Sequence, residues 1–220
     1  MEGIILVNKP TGMTSHDVVD YARDKLKIRK IGHAGTLDPL AEGLLILLVG
    51  KATKLFPKFS GFDKEYFSTF KLGETTTTGD SQGTLLETKD FSSISLENIK
   101  QACLSFKGEI EQVPPMVSAI RVKGKRLYEL ARKGIEVERS ARKIIIHDIR
   151  VENIEMPYVH FYVHCSKGTY IRKLAEDIGA RLSCGAHITM IRRLGIGDFK
   201  LTDAVELGGI NENCLRRLAA

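Results

Sequence analysis

The sequence predicts an α+β fold, and three observations carry that expectation. Two neighbouring stretches, 143–154 and 158–165, alternate apolar and polar residues as strands do. Three other stretches repeat apolar residues at helical spacing. The two patterns mix without the regular βαβ rhythm that a doubly wound sheet requires. With 220 residues the chain can bury a sizeable core. We expect one domain over 1–220, carrying an arm at about 113–143.

In chain order, residues 3–8 form a short apolar strand that ends at Lys9-Pro10, and Thr11-Gly12 makes a turn. Ser15 is placed to cap a helix over about 16–28, with Val18, Val19, Ala22 and Leu26 on its inner face. A Gly-rich loop follows, then an apolar strand over 44–49 and the basic-apolar segment GKATKLFPKF. Residues 64–72 alternate as a strand with Tyr66, Ser68, Phe70 and Leu72 on one side. The segment 73–83 reads as a polar loop holding Asp80. Ser95 caps a helix to Phe106 whose stripe is Leu96, Ile99, Cys103 and Phe106, and Pro114-Pro115 closes that unit. After the two strands, SKGT at 166–169 opens a helix in which Ile171, Leu174, Ala175 and Ile178 recur. Residues 187–201 give one or two more strands, and a short helix finishes the chain.

Composition is that of a soluble globular protein, 43% hydrophobic and 27% charged. Four scattered cysteines without a CxxC pair fit reduced thiols, and the N-terminus lacks a basic flank before an apolar core. No apolar run is long enough to span a bilayer. These features place the chain in the cytoplasm, with no membrane partner.

Two stretches stand out. In IGHAGTLDPL, Asp38 sits between glycines (Gly32, Gly35) that permit sharp turns and Pro39, which biases Asp38 toward extended backbone. The strand behind it would hold this carboxylate rigidly, although an Asp-Pro turn between two elements is the ordinary reading. Residues 121–143 hold nine Lys or Arg against three Glu, an excess equal to the +6 of the whole chain. A short helix with Leu127, Leu130 and Ala131 inward would display these cations. They form either a solvated face or a phosphate-facing arm.

Other chemistry is disfavoured. The segment 43–51 ends in GK, but its spacer is apolar and Ala52 stands where a P-loop needs a hydroxyl. His164-Cys165 with Cys184 and His187 departs from zinc-finger spacing. Neither GxSxG nor GxGxxG occurs. We expect no metal and no cofactor.

The blocks GIILVNKPTGMTSHDVV, GHAGTLDPLAEGLL, GKATKL, KEY, TTTTGDSQG, VPPMVSAIRVKGKRLYELARKGIE and CSKGTYIRKLAEDIGARL stand in this order. Together they resemble the bacterial TruB family of tRNA pseudouridine synthases, which modify the T-loop uridine at position 55. The resemblance implies a mainly antiparallel sheet flanked by helices, with a mobile basic thumb. It makes Asp38 the catalytic aspartate and Tyr66 the stacking surface for the target base. It puts Asp80 near that base, Tyr170 in the base pocket, and Arg172 beside the catalytic carboxylate. His33 matches a T-loop contact and Ile191 an apolar pocket residue. Lys9, Lys54 and the arm cations, including Lys125, Arg126 and Arg132, would contact RNA. The family usually carries a C-terminal PUA domain, which this sequence is expected to lack.

The implied reaction breaks N1–C1′, turns the uracil and rejoins it through C5, with no redox equivalent. An ionised carboxylate can act as nucleophile or stabilise a cationic sugar. The base must be flipped out of its stack, and Tyr170 is a candidate for the proton loss at C5. The resemblance implies tRNA as the partner, and we expect a monomeric enzyme with no accessory protein. Two rivals remain at this point: an N-glycosylase using Asp38 and Asp80, and an RNA-folding module without chemistry.

Overall fold

The computed structural model describes residues 2–118, 120–122, 124–131 and 133–217, with only the backbone described for Arg121, Val122 and Arg126. Arg132 and the Arg126 side chain, both expected to bind RNA, lie outside the described residues. The chain begins β1 (Gly3–Lys9), α1 (Ser15–Leu26), β2 (Ile31–Ala34), β3 (Glu42–Val49), α2 (Phe56–Ser60) and β4 (Lys64–Leu72). It continues β5 (Glu74–Thr76), β6 (Leu85–Thr88), α3 (Leu96–Leu104), β7 (Gly108–Gln112), β8 (Arg121–Val122), β9 (Lys125–Arg126) and α4 (Leu127–Ala131). The remainder is β10 (Arg142–Glu155), β11 (Tyr158–Cys165), α5 (Ile171–Arg181), β12 (Ala186–Ile196), β13 (Phe199–Lys200) and β14 (Val205–Glu206). The fold is α+β, with mostly antiparallel strand pairs and flanking helices.

The expected single domain divides into two compact units, residues 1–67 with 191–220, and residues 68–190. In the first, β3 is the axis. It pairs antiparallel with β1 from Gly3↔Val49 to Lys9↔Gly43, and with β2 from Ile31↔Val49 to Ala34↔Ile46. The end of β12 joins it in parallel at Arg192↔Glu42 and Arg193↔Gly43. One face of β1 and β3 (Ile5, Val7, Leu45, Leu47, Val49) packs on Val18, Val19, Ala22 and Leu26 of α1. The other face (Ile4, Leu6, Leu44, Ile46, Leu48) packs on Ala34, Phe59 and Ile196. Burial on both sides explains why β3 is a continuous apolar run rather than an alternating one.

In the second unit, β10 pairs antiparallel with β11 and with β7, and two register shifts bend the β10–β11 pair. Phe70 meets Phe161 at 5.5 Å between ring centroids. Ile171, Leu174, Ala175 and Ile178 form the buried stripe of α5, as their spacing predicts. The arm leaves at Gln112 and returns at Arg142, which pair with each other across β7 and β10. Between them lie the β8–β9 hairpin and α4, whose Leu127 and Leu130 are buried.

Several expectations are corrected. Thr14, not Ser15, caps α1, accepting from Asp17 N while the Asp17 side chain accepts from Thr14 N. Ser15 is thereby released for another task. Gly32 lies within β2 and makes no turn, whereas Gly35 does, at φ +87°. The segment 73–83 is not all loop, because β5 pairs with β6. Leu96 is exposed, and Ala102 replaces it in the buried stripe of α3. The expected short terminal helix takes the form, among the described residues, of short 3-10 helices, the last at Glu212–Cys214. Among the described residues, no helix is long and apolar enough to cross a membrane.

Candidate active site

Asp38 belongs to the first unit, where its loop is tied down at several points. The hydroxyl freed from capping, Ser15 Oγ, accepts from Leu37 N at 2.8 Å and donates to Leu37 O at 3.2 Å. Gly12 N donates to Pro39 O at 2.8 Å, and Ala41 N to Asp38 O at 3.0 Å. The KPTG turn after β1 and the start of α1 therefore grip the loop on either side of the half-buried Asp38.

The strongest grip comes from Arg193, which is only 1% exposed. Its guanidinium donates to Leu44 O at 2.7 Å, Gly35 O at 3.0 Å and Thr36 O at 3.5 Å. It also hydrogen-bonds the Tyr66 side chain and feels the Asp38 charge. Burial lowers its pKa, while Tyr66 and then Asp38 act to raise it. Five donors in a planar fork suit one group that must satisfy carbonyls on both sides of a loop. Alternation along β12 buries Ile191 and Arg193 and exposes Arg192 between them. Period-two alternation thus puts Arg193 on the same buried strand face as Ile191.

Lys9 is corrected. It was expected on an RNA-facing surface, but it is fully buried, and its ammonium donates to Pro10 O at 2.8 Å and Met13 O at 2.6 Å. Burial and then the positive Arg193 bring its pKa down to about 8, against the opposing pull of Asp38. His33 is brought down to about 4 by burial and by Arg193, so at neutral pH its ring is uncharged. Tyr66 and Ile191 are buried, while Lys54 is exposed as expected.

Asp80, Tyr170 and Arg172 belong to the second unit. Asp80 is buried, and its Oδ1 accepts from Thr78 Oγ1 at 2.6 Å and Gln82 N at 3.1 Å. The buried Arg172 places Nε 3.6 Å from Asp80 Oδ2. The same guanidinium donates to Thr78 O and to Val117 O, each at 2.8 Å. It thus joins the Asp80 loop to the root of the arm. Tyr170 is the N-cap residue of α5, without a side-chain capping bond. Lys125 is exposed on the arm.

The four residues weighed for zinc are placed as follows. His164 and His187 are engaged in separate strands, Cys165 and Cys184 are buried thiols, and burial raises the Cys184 pKa.

Residues 23–171 match the TruB family pseudouridylate synthase (N terminal domain), and residues 172–218 match the tRNA pseudouridylate synthase B C-terminal domain. The tRNA pseudouridine synthase B of Clostridium kluyveri is 50% identical over 217 residues, which is 98% of this chain and 75% of that protein. That of Opitutus terrae is 46% identical over 96% of this chain and 87% of its own length. Among solved structures, a Cbf5-Nop10-Gar1 complex matches with a TM-score of 0.74 and 32% identity over 94% of this chain. An H/ACA RNP bound to a substrate RNA containing 2′-deoxyuridine matches at 0.70 and 30% identity. The chain spans about half the length of these two solved chains, 52% and 51%. A match running from residue 23 to residue 171, together with relatives this alike, establishes that the chain belongs to the TruB family of pseudouridylate synthases.

Proposed function

We propose that the chain isomerises a uridine of tRNA to pseudouridine, and that this uridine is the one at position 55 in the T-loop. The relatives are named for tRNA, and the position follows from the resemblance of the whole motif series. The observation that carries the reading is the pinned Asp38 loop, whose backbone on either side of the carboxylate is held by Ser15, Gly12 and the buried Arg193. A reacting carboxylate gains from such pre-organisation, because the loop need not be ordered during the reaction.

In this reading the target base is flipped out and stacks on Tyr66. Asp38, ionised, attacks or electrostatically stabilises the centre from which N1 departs. The uracil turns, C5 bonds to C1′, and the C5 proton leaves, with Tyr170 proposed at that step. N1, which left with the electron pair of the broken bond, takes up a proton from solvent, so atoms and electrons balance. Asp80, Arg172, Ile191 and His33 keep the roles that the resemblance gives them. Lys54, Lys125, Arg126 and Arg132 attract phosphates. Although the solved neighbours are complexes with other proteins, the proposal for this chain is a monomer acting alone.

The test uses the purified chain and unmodified tRNA carrying tritium at uridine C5. Wild-type protein is expected to release tritium while the base stays attached to the RNA, and Asp38→Asn is expected to release none. Free uracil would replace the isomerase with a glycosylase. Equal release by both proteins would remove Asp38 from the chemistry, and no release by either would remove the activity.

A further inference from the structure

The root of the arm carries a side chain that neither the motifs nor the resemblance assigned. Gln112 is the last residue of β7 and the point where the chain departs into the arm. It is 2% exposed. Its amide makes both of its bonds to the backbone of one residue: Oε1 accepts from Tyr170 N at 2.8 Å, and Nε2 donates to Tyr170 O at 3.1 Å. A primary amide holds one acceptor and one donor side, so it can mimic a strand neighbour to a single extended residue. Tyr170 is extended, with φ −101° and ψ 110°.

Tyr170 is also a poor choice for where it stands. The N-cap position favours Ser, Thr, Asp or Asn, whose side chains bond the helix's free N–H groups. Tyrosine offers no such bond here. Local preference is thus set aside at a residue kept for another purpose. The Tyr170 carbonyl already accepts the first bond of α5 from Leu174 N at 3.0 Å. Gln112 adds a second donor to that oxygen and supplies the acceptor for the N–H. Replaced by an apolar side chain, it would leave a buried N–H without its partner, and the backbone would shift to find one.

We propose that Gln112 is a positioning residue for the reaction, setting the backbone of Tyr170 and hence where the phenol lies. The idea rests on the role proposed above for Tyr170 at the flipped base. Because Gln112 reaches no surface of the arm, its contribution falls on the chemical step and not on tRNA affinity.

The experiment compares wild type, Gln112→Met, Gln112→Glu, Tyr170→Phe and the Gln112→Met/Tyr170→Phe double variant in single-turnover tritium release at saturating tRNA. Filter-binding affinity and thermal unfolding accompany each. A displacement near 1 Å can lower a rate on the order of 100-fold. Gln112→Met is therefore expected to lose about 10- to 100-fold in single-turnover rate, with tRNA affinity held within about twofold of wild type. Gln112→Glu keeps the acceptor toward the Tyr170 N–H but sets a carboxylate oxygen against its carbonyl, and is expected to fall between the two. In the Tyr170→Phe background the Gln112→Met change should cost little, since the group being positioned is gone.

A wild-type rate for Gln112→Met, or the same fold-loss with and without the Tyr170 hydroxyl, overturns the proposal. If Gln112→Met does not fold, the same comparison with Gln112→Glu decides it. Failure of wild-type protein to release tritium would instead strike the isomerase reading itself, so the two failures are distinguishable.

Discussion

Cations serve opposite purposes in two regions of this molecule. In the first unit, Lys9 and Arg193 are buried, and each spends its donors on backbone carbonyls around the Asp38 loop. In the arm, Lys125 and Lys133 stand in solvent with few acids nearby in sequence. A buried guanidinium sits in low dielectric, where its bonds are strong and its loss leaves unsatisfied oxygens. A solvent-exposed ammonium attracts phosphate from a distance and is screened by salt. The +6 of the chain therefore says little by itself, because equal charges fix geometry in one place and, in the function proposed, gather substrate in the other.

Removing the buried cation should have the largest effect. Arg193→Met removes the donor to three carbonyls, and is expected to cost about 3–5 kcal/mol of stability. The single-turnover rate should fall at least about 100-fold where the protein still folds. Arg193→Lys keeps the charge without the fork, so it should recover stability more than rate. A wild-type rate in either variant would show that the staple does not set Asp38. Gly43 probes the same contact from the backbone. A Cβ there, at φ +103°, would meet Arg193 O at 2.4 Å and Arg193 N at 2.7 Å. Gly43→Ala should cost about 2–3 kcal/mol by overpacking and backbone strain. At Gly12, with φ +83° and open space around it, the alanine should cost only about 1 kcal/mol of strain. Equal losses of melting temperature at the two sites would break the contrast.

What the sequence revealed follows the same division. Period-two and helical patterns are local, so β1, α1, β3, β4, β10, β11 and α5 were legible from burial alone. The Asp38 loop was legible as a loop because Gly35 and Pro39 are local signals too. What holds the loop was not. Arg193 lies far along the chain from Gly35, and Gln112 from Tyr170, and no local pattern announces a bond over such separation. The Ser15 misreading has a different origin. By type serine caps at least as well as threonine, but only Thr14 has an acceptor three residues on, Asp17, to complete a capping box, while Ser15 is taken by Leu37. Lys9 was assigned to RNA through the resemblance alone, and burying it requires carbonyls that a one-dimensional reading does not see.

Lys9 offers a smaller, pH-dependent test of the buried class. Its pKa of about 8 lies below its ordinary 10.5. Between these values the folded protein holds fewer protons on this group than the unfolded chain, so its contribution to stability rises with pH. The rate should move the other way, because the neutral amine loses the charge beside Asp38 and a donor to the turn. With a pKa of about 8, an ammonium-dependent rate falls about tenfold from pH 7 to pH 9. Lys9→Met should be slower at pH 7 and flat across that range. A flat wild-type profile would show that the Lys9 charge is dispensable.

The arm should give the smallest effect on chemistry and a distinct one on binding. Each phosphate neutralised adds roughly 0.7–0.9 to the slope of log affinity against log salt. Neutralising Lys125, Arg126 and Arg132 should therefore flatten that slope by about 2–3. The single-turnover rate at saturating tRNA should stay at its wild-type value, because none of these charges is assigned to the reacting base. An unchanged salt slope would move the phosphate contacts off the arm. A reduced saturating rate would mean that the arm also orders the pocket, and Gln112 and the Arg172–Val117 bond at its root give the route by which it would do so.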